Sequence, residues 1–334
     1  MPCAGTGVAR FRRMLLEAQR RWYLARLDSL WLESMKRGQF SRAWRLSDAA
    51  VRVRAGLDCS AWPRHRQFIW NGEPLEGRRV LVRCYHGLGD TIQFARLVPL
   101  LRSIGARSIL WAQPQLIPLL QTIHGIGGIA PLHEGDPDAG YDADVELAEL
   151  LHVFRITPET LPRNVPYLHI GAPRSRSDKP MMVGLVWRSG DWDPRRCIPS
   201  ELLLPLAKLK HVRFITFQQG RERARLQPLF ESAGHFSSVL HEARALLKLD
   251  LLISVDTFAA HLGGALGVPV WLLLHSDPDW RWMRSREDTP WYPTMRLFRQ
   301  PRPGDWQTVL ERVREELGRR AATLTQATES PARS

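Results

Sequence analysis

The sequence predicts an α/β protein built from two doubly wound domains that face each other across a cleft. From Arg78 onward, short apolar runs of strand type alternate with segments of helical periodicity, which is the pattern of a parallel sheet covered by helices. The alternation stops at residues 172–180, a stretch rich in Pro, Arg and Ser, and then begins a second time. Ligands of such sheets lie at the carboxyl ends of the strands, so two facing sheets predict a site between them.

Residues 1–57 are predicted to form a helical hairpin ahead of the first domain. Apolar side chains recur at helical intervals on both sides of a turn at residues 36–40. The stretch from Gly38 to Ala43 resembles part of a tetratricopeptide repeat, and since no second copy follows, we interpret the segment as a single degenerate hairpin of that type. Residues 58–77 contain Pro, Asn-Gly and further turn signals and are predicted to be a linker.

The remaining boundaries follow from the pattern of strands and helices. The first domain is predicted to span residues 78–172, and the second to span 180–303 with one of its helices over 221–233. A final helix is expected at 304–322. The small, polar residues of 323–334 are expected to form a disordered tail.

Charge is distributed unevenly along the chain, which has a net charge of +13. Residues 1–56 contain twelve Lys or Arg and four Asp or Glu, whereas residues 131–150 contain seven acidic residues and no basic one. The basic hairpin could face an anionic membrane surface or an acidic protein. Because the sign of the charge alternates along the chain, a continuous stripe that binds nucleic acid is not expected.

The cysteines and the amino-terminal residues indicate a cytoplasmic protein. Four cysteines are scattered without a CxxC pair, which favours a reducing compartment and predicts no metal site. The first residues hold no uninterrupted apolar core of signal-peptide type, and no apolar run is long enough to span a bilayer. We therefore expect a cytoplasmic location, with the basic hairpin as a means of contact with the inner face of the plasma membrane.

A glycine-rich turn, Gly87-Leu88-Gly89-Asp90-Thr91, follows the first strand and opens a helix. The glycines at 87 and 89 allow a sharp turn and the close approach of a ligand, while the helix amino terminus presents free N–H groups. A dinucleotide-binding fingerprint needs a third glycine at position 92, where Ile92 stands, so an oxidoreductase is disfavoured. Asp90 has two open interpretations, a cap of the helix or a general base.

A second junction of strand and helix, at residues 254–267, predicts a phosphate site. The apolar strand ends at Asp256, and Thr257 and His261 then share one face of the following helix. The helix amino terminus, the Thr257 hydroxyl and the His261 ring can each donate a hydrogen bond to a phosphate. Asp256 can cap the helix or hold a ribose hydroxyl, and His261 can instead be a residue of the core.

Two loops at the carboxyl ends of strands supply candidate side chains: the loop at residues 187–199 holds three arginines, and the loop at 279–293 holds three tryptophans. They are Arg188, Arg195, Arg196, Trp280, Trp282 and Trp291. Arginine binds phosphate through two parallel hydrogen bonds, and tryptophan rings suit stacking on a sugar or a base. Either loop can also be an ordinary solvated loop or one that folds onto its own domain.

These motifs, in this order, resemble the glycosyltransferase family 9 (heptosyltransferase-like) domain, particularly bacterial versions that carry tetratricopeptide segments. The resemblance extends from about Arg78 to Trp306 and is strongest in the segments HGLGDTIQFARLVPLL, ISVDTFAAHLGGALGVPVWLLL and DWRWMRSREDTPWYPTMRLFRQ. It implies a GT-B fold, in which two Rossmann-like domains face a cleft. It also implies a metal-independent, inverting enzyme that moves a sugar from a nucleotide donor such as ADP-heptose to a lipopolysaccharide-type acceptor, with no further cofactor.

The resemblance assigns roles to individual residues. Asp90 takes the place of the proposed general base, with Gly87 and Gly89 in the loop beside the acceptor or the phosphate. The element that binds the donor diphosphate, together with its arginine partners, maps to Asp256, Thr257, His261, Arg188, Arg195 and Arg196. A basic residue before a proline contacts the donor in this family and is usually lysine in heptosyltransferases. It falls here on one of two arginines, a departure that leaves the identity of the donor sugar open.

Two other functions are compatible with the sequence. A chain of this fold could be a non-catalytic scaffold or binding protein that uses its basic hairpin. It could also be a nucleotide-sugar epimerase of the GT-B type. An epimerase would need more acid and base groups around the sugar than these motifs supply, whereas a scaffold would show no turnover.

Overall fold

The structure of the protein is a computed structural model that describes residues 5–172, 180–190, 193–220, 226 and 229–329. Two parallel sheets and the helices around them form two domains, and a pair of helices precedes the first sheet. The end of the expected tail, residues 330–334, lies outside the described residues. So does most of the helix that was predicted over 221–233.

Two helices that pack together, α1 (Gly5–Lys36) and α2 (Phe40–Arg54), stand ahead of the first domain. Gly38 lies in the turn between them with a φ of +71°, a left-handed conformation that glycine adopts readily because it has no Cβ. The predicted helical hairpin is therefore present. Its relation to tetratricopeptide repeats stays a prediction.

The hairpin contacts both domains. Toward the first domain, the Trp44 indole N–H donates a hydrogen bond to the Ile156 carbonyl at 2.9 Å. Toward the second domain, the Lys36 ammonium group lies 2.5 Å from the carboxylate of Asp277. The hairpin thus connects the two domains by contacts that are separate from the contact between the domains themselves.

A four-stranded parallel sheet is the centre of the first domain. Its strands, in the spatial order β3-β2-β1-β4, are β1 (Arg79–Arg83), β2 (Arg107–Ala112), β3 (Gly128–Pro131) and β4 (Ala143–Glu146). Val80, Leu81 and Val82 are all fully buried, as expected of a central parallel strand that is covered on both faces. The strand order reverses beside β1, which makes the carboxyl end of β1 a position where ligands of such sheets bind.

Four short helices belong to this domain. They are α3 (Leu88–Phe94), α4 (Leu100–Ser103), α5 (Ile117–Leu120) and α6 (Leu150–Val153). Of these, α3 concerns the site, because it begins directly after the glycine-rich turn that follows β1. Pro99 separates α3 from α4, since proline cannot donate the backbone hydrogen bond that a continuous helix would need there.

A six-stranded parallel sheet is the centre of the second domain. Its strands are β5 (Met181–Val186), β6 (Val212–Thr216), β7 (Glu231–Ser232), β8 (Leu251–Val255), β9 (Val270–Leu274) and β10 (Met295–Arg299). Their spatial order is β10-β9-β8-β5-β6-β7, so the order reverses between β5 and β8. The loops that follow these two strands therefore meet at the switch point of the second sheet. Strand β7 occupies part of the segment that was predicted to be helical.

Three helices of the second domain are α7 (Val239–Leu246), α8 (Phe258–Ala265) and α9 (Trp306–Glu329). Helix α9 is longer than predicted, since residues 323–329 are helical where a disordered tail was expected. No proline or glycine occurs between Gly318 and Pro331, so nothing in the sequence interrupts the helix there. In the described part of the chain, no helix is both long and apolar enough to cross a membrane.

Helix α3 of the first domain packs directly against α8 of the second. The approach is close at Gly89, where an added Cβ would lie 2.9 Å from Cδ2 of His261. Within α8, an added Cβ at Gly264 would lie 2.6 Å from the ring of Tyr292. Gly89 therefore permits the close approach of the two domains, and Gly264 permits the packing of α8 on Tyr292 within the second domain. The buried residues around both glycines form one continuous hydrophobic core.

We expect Gly264→Ala to lower the free energy of unfolding by about 1–3 kcal/mol, because the new methyl group must displace the Tyr292 ring. Gly318→Ala is the matched control within another helix. Its Cβ would lie 3.6 Å from Leu209, an ordinary contact, so alanine should stabilise α9 by up to about 1 kcal/mol. Urea denaturation of both variants measures the effects. Changes of the same sign and size would contradict the close packing at Gly264.

Candidate active site

A cavity of about 1030 Å³ lies between the two domains, where the carboxyl ends of β1, β5 and β8 meet the amino termini of α3 and α8. Nine of the residues predicted from the sequence line it. They are Gly87, Gly89, Asp90, Arg188, Arg196, Asp256, Thr257, His261 and Trp280. The cleft thus lies where two doubly wound sheets are expected to bind a ligand.

Asp90 caps α3 and also faces the cleft. Its Oδ2 accepts a hydrogen bond from the Gly87 backbone N–H at 3.0 Å, which satisfies a donor that the helix leaves free at its amino terminus. Its Oδ1 accepts a hydrogen bond from the Arg281 guanidinium. The two interpretations of Asp90 are therefore compatible, because a capping carboxylate still presents its second oxygen to the cleft.

Arg281 connects a loop of the second domain to α3 of the first. It follows β9 along the chain and pairs with Asp279 at 2.8 Å as well as with Asp90. The guanidinium carbon lies 5.2 Å from the ring centroid of Phe94 and 5.0 Å from that of Trp280, within the range of cation–π attraction. Burial acts to lower the pKa of Arg281, but the charges of Asp279 and Asp90 outweigh it and raise the pKa above its usual value. The guanidinium is therefore always charged.

Two neighbouring titratable groups of the first domain are uncharged: His86, which lines the cleft, and Glu146, which lies beside His86. Glu146 ends β4, and its Oε2 lies 3.6 Å from Nε2 of His86. Burial, together with the charge of Glu149, raises the pKa of Glu146 to about 8. Burial lowers the pKa of His86. At neutral pH both side chains are therefore mainly neutral, so this side of the cleft holds less charge than its composition indicates.

Thr257 occupies the cap position at the amino terminus of α8, at the edge of the cleft. Its hydroxyl makes no capping hydrogen bond to the first turn and lies 3.0 Å from the Ser254 hydroxyl. Backbone N–H groups at a helix amino terminus bind anions when no side chain occupies them. This end of α8 is therefore suited to bind a phosphate.

His261 lines the cleft but is almost completely buried. Its Nδ1 lies 3.0 Å from the Tyr292 hydroxyl, and its Nε2 lies 3.5 Å from Oδ1 of Asp256. The ring stacks on Trp282 with a centroid distance of 5.6 Å. Both ring nitrogens thus have partners within the protein, so the interpretation of His261 as a core residue fits this geometry better than direct contact with a phosphate.

Asp256 is also buried and bonds to side chains around the end of β8. Its Oδ2 accepts a hydrogen bond from the Trp282 indole N–H at 3.0 Å and lies 3.6 Å from Nη1 of Arg196. Burial acts to raise the pKa of Asp256, but hydrogen bonding and charge from His261, with the charge of Arg196, hold it well below its usual range. In this structure Asp256 therefore holds Trp282 and Arg196 in place. From the sequence it was expected to cap the helix or to bind a ribose hydroxyl.

The arginines after β5 separate into two groups. Arg188 and Arg196 line the cleft, and Nη1 of Arg196 donates a hydrogen bond to the Asp256 carbonyl at 3.3 Å. Arg195 instead has a side chain that is 63% exposed and pairs with Asp193 at 2.9 Å. Arg195 and Arg196 are consecutive in a 3₁₀ turn, where successive side chains diverge by a third of a turn. The structure therefore places Arg196 at the cleft and Arg195 away from it.

Among the three tryptophans predicted to stack on a sugar or base, Trp280 alone lines the cleft. It stacks on Phe94 at a centroid distance of 6.3 Å and meets Trp31 of α1 edge to face at 5.3 Å. Trp282 and Trp291 are each 1% exposed, with their indole N–H groups bonded inside the protein. The prediction was wrong for these two, because a large ring gains more from burial in the core than from a solvated loop.

Two residues that line the site, Arg281 and His86, and the neighbouring Glu146 were not singled out from the sequence. Arg281 stands between two tryptophans that drew attention as stacking candidates. His86 directly precedes the glycine-rich turn, and Glu146 lies in the acidic stretch of residues 131–150. A usable signal existed for His86 and Glu146, since each is a polar or charged residue at or just beyond the carboxyl end of a buried strand. Arg281 comes seven residues after the end of β9 and had no such signal.

The cavity beside the amino terminus of α8 is lined by three arginines and by the carboxylates of Asp90, Asp256 and Asp279. Arg188, Arg196 and Arg281 all line the same cavity as Thr257. Such an arrangement suits an anion with several negative oxygens. Across the described part of the chain, no group of three or more His, Cys, Asp or Glu side chains is arranged to hold a metal ion.

We expect Glu146→Gln to change how stability depends on pH. The pKa of Glu146 rises from an ordinary value of 4.5 in the unfolded chain to about 8 in the folded protein. Its contribution to stability is therefore fully present below pH 4.5 and is lost as the pH rises through 8. The glutamine variant lacks this loss, so its stability relative to the parent protein should increase between pH 5 and pH 9. Urea denaturation of both proteins at pH 5 and pH 9 tests this. If the difference in free energy of unfolding between variant and parent is the same at both pH values, the burial of a protonated Glu146 is contradicted.

Comparisons with known proteins support this fold. No model of a protein family matches the sequence. Protein FlbA of Caulobacter vibrioides is 26% identical over 284 residues, which cover 73% of this chain and 47% of FlbA, so the chain spans about half the length of that relative.

Two solved structures share the architecture. A family 9 glycosyltransferase from Veillonella parvula has a TM-score of 0.55 and 14% identity, covering 77% of this chain and 100% of its own. The ADP-heptose lipopolysaccharide heptosyltransferase II of E. coli has a TM-score of 0.53 and 14% identity, covering 75% of this chain and 100% of its own. This likeness confirms the two-domain GT-B fold that the motifs predicted: the protein has the fold of glycosyltransferase family 9.

Proposed function

We propose that the protein is an inverting glycosyltransferase that moves a sugar from a nucleotide-diphosphate donor to a glycan or lipopolysaccharide-type acceptor without a metal ion. The observation that best supports this is the composition of the cleft. Asp90 on the first domain lines the same cavity as the amino terminus of α8 and Arg196 on the second domain. A base on one side and an anion-binding helix end on the other are the parts that such a transfer needs.

The diphosphate of the donor binds at the amino terminus of α8. Backbone N–H groups of the first turn and the Thr257 hydroxyl donate hydrogen bonds to its oxygens, and the helix dipole favours its charge. Arg196 and Arg188 supply positive charge beside that helix end. His261 and Asp256 act indirectly, since they hold Trp282 and Arg196 in place.

Asp90 is the base in the proposed transfer. It accepts the proton of an acceptor hydroxyl as the hydroxyl oxygen bonds to the anomeric carbon of the donor sugar. The bond between that carbon and the diphosphate oxygen breaks in the same displacement, which inverts the anomeric centre. Arginine side chains and the α8 dipole stabilise the charge that develops on the departing diphosphate.

The donor, the acceptor and the place of action are the finer parts of the proposal. The E. coli neighbour is named for ADP-heptose and lipopolysaccharide, which supports ADP-heptose or a related nucleotide sugar as the donor here. An arginine stands where heptosyltransferases usually have lysine. This difference favours a related nucleotide sugar over ADP-heptose itself as the donor. The basic hairpin supports a cytoplasmic protein that contacts the inner face of the plasma membrane or an acidic protein.

A non-catalytic scaffold is the second candidate, because both oxygens of Asp90 already have partners within the protein. In a scaffold the contact between Asp90 and Arg281 would be permanent, and the cleft would bind a ligand without converting it. A thermal-shift screen of nucleotide sugars, followed by a hydrolysis and transfer assay of each ligand found, separates the two. An enzyme turns its ligand over, whereas a scaffold does not.

Two adjacent arginines offer a matched test of the donor site. We expect Arg196→Ala to weaken the binding of a nucleoside diphosphate by about 1–3 kcal/mol, the usual effect of losing a hydrogen bond to a charged group. Arg195→Ala removes the same charge from the next residue but from outside the cleft, so it should leave the affinity nearly unchanged. Titration calorimetry with ADP, UDP and GDP measures both, and equal losses would contradict the assignment.

The role of Asp90 can be separated from its structural role by Asp90→Asn. Asp90 stands at the third position of α3, where the side-chain oxygen of asparagine can still accept the hydrogen bond from the Gly87 N–H, so α3 should persist. It cannot accept the proton, so the rate of sugar transfer should fall by a factor of about 10²–10⁴. The assay is turnover at saturating donor, with the melting temperature recorded to show that the variant is folded. A folded variant that transfers sugar at the parental rate would remove Asp90 as the base.

A further inference from the structure

We propose that Arg281 is a diphosphate-binding residue of the cleft, and that it exchanges Asp90 for the donor diphosphate when the donor binds. This inference rests on the proposed function. It assigns the diphosphate as a ligand to a residue outside the motif that surrounds Thr257. It also implies that Asp90 is released from Arg281 only when the donor is bound. The reasons are the position of Arg281, its charge balance, and its unused hydrogen-bond donor.

The position of Arg281 places it within reach of both partners. Its side chain lines the same cavity as Asp90, Thr257 and Arg196. The loop that holds it follows β9 and belongs to the second domain, which also provides the amino terminus of α8. Its ion pair with Asp90, however, crosses to the first domain. Asp256, which directly precedes Thr257, is near enough to act on the charge of Arg281. A movement of the guanidinium within this cavity would therefore carry a positive charge from the base toward the phosphate site.

Arg281 has more negative partners than a single guanidinium needs. Asp279 and Asp90 both pair with the guanidinium, and Asp256 also contributes negative charge nearby. If the guanidinium leaves Asp90, Asp279 remains as a partner, and Asp90 keeps its hydrogen bond from the Gly87 N–H. Neither group is then a buried charge without a partner, which is the state that would make the exchange prohibitive.

Arg281 also has an unused hydrogen-bond donor. Its Nε is buried and has no acceptor among the described residues. Buried polar groups in proteins nearly always have a partner, so a single orphaned donor at a functional cleft needs an explanation. A diphosphate oxygen would provide the missing acceptor. Phosphate oxygens form stronger charge-assisted hydrogen bonds with arginine than neutral acceptors do, often in pairs.

The exchange has a consequence for the order of binding. While Arg281 donates a hydrogen bond to Oδ1 of Asp90, the guanidinium restricts the approach of an acceptor hydroxyl to that oxygen. Once the diphosphate takes the guanidinium, the oxygen is free. The donor must then bind before the acceptor can react, and the binding of the donor is opposed by the ion pair that it breaks.

The test is a double-mutant cycle in which binding is titrated by calorimetry with ADP, UDP, GDP and inorganic pyrophosphate. Asp90→Asn removes the partner that competes for Arg281, so the affinity should rise about fivefold or more, a typical size of coupling between sites. Arg281→Gln should weaken binding at least tenfold. In the Arg281→Gln background, Asp90→Asn should no longer increase the affinity. Arg284→Gln is the control. Arg284 lies on the same loop as Arg281 but forms an exposed ion pair with Glu33 of α1, so the variant should leave the affinity unchanged.

The possible outcomes distinguish the exchange from the proposed function. If Asp90→Asn binds no tighter than the parent, the exchange is wrong while the diphosphate site stands. If the gain persists in the Arg281→Gln background, the gain reflects general repulsion by the carboxylate, and the role of Arg281 is wrong. If none of the four probes binds the parent, the proposed function fails as well. Should Arg281→Gln not fold, Arg281→Lys serves in the cycle, and the gain from Asp90→Asn should then be smaller than in the parent.

Discussion

The ion pair between Asp90 and Arg281 is the contact on which the arrangement of the site depends. It joins the first turn of α3 to the loop after β9, so one pair of charges connects the two domains across the cleft. A buried guanidinium needs such partners, because an uncompensated charge in the interior is strongly destabilising. Asp279 and the ring of Phe94 complete its surroundings. The same contact that joins the two domains therefore also determines whether the carboxylate of Asp90 is available to a substrate.

Close packing makes this ion pair possible. Gly89 allows α3 to approach α8 to a distance that a Cβ would prevent, which places the turn after β1 beside the loop after β9. The hairpin supports that loop from a third direction, since Trp31 meets Trp280 and Lys36 pairs with Asp277. The helices ahead of the first domain, the contact between the domains and the site loop thus form one connected unit. A change in the hairpin can be expected to reach the cleft through this loop.

The sequence predicted those parts of the site that depend on local structure. Apolar runs and turn residues were enough to place Asp90 and Thr257 at the carboxyl ends of strands, because strand ends and helix starts are set by neighbouring residues. Spacing along a helix could not decide what a side chain meets in three dimensions. His261 shares a helix face with Thr257, yet its partner is Tyr292, 31 residues later in the chain. For the same reason the adjacent arginines of one loop, and the tryptophans of another, could not be divided between cleft and core, and the pairing of Arg281 was not foreseen.

The most direct test of this account is a structure of the protein determined with a nucleoside diphosphate bound in the cleft. The account predicts the diphosphate at the amino terminus of α8, with an oxygen hydrogen-bonded to the Thr257 hydroxyl and another to the Arg281 guanidinium. Oδ1 of Asp90 should then be released from Arg281 and open to the cavity. A nucleotide bound elsewhere would contradict the donor site, and a nucleotide bound at α8 with Arg281 still paired to Asp90 would contradict the exchange.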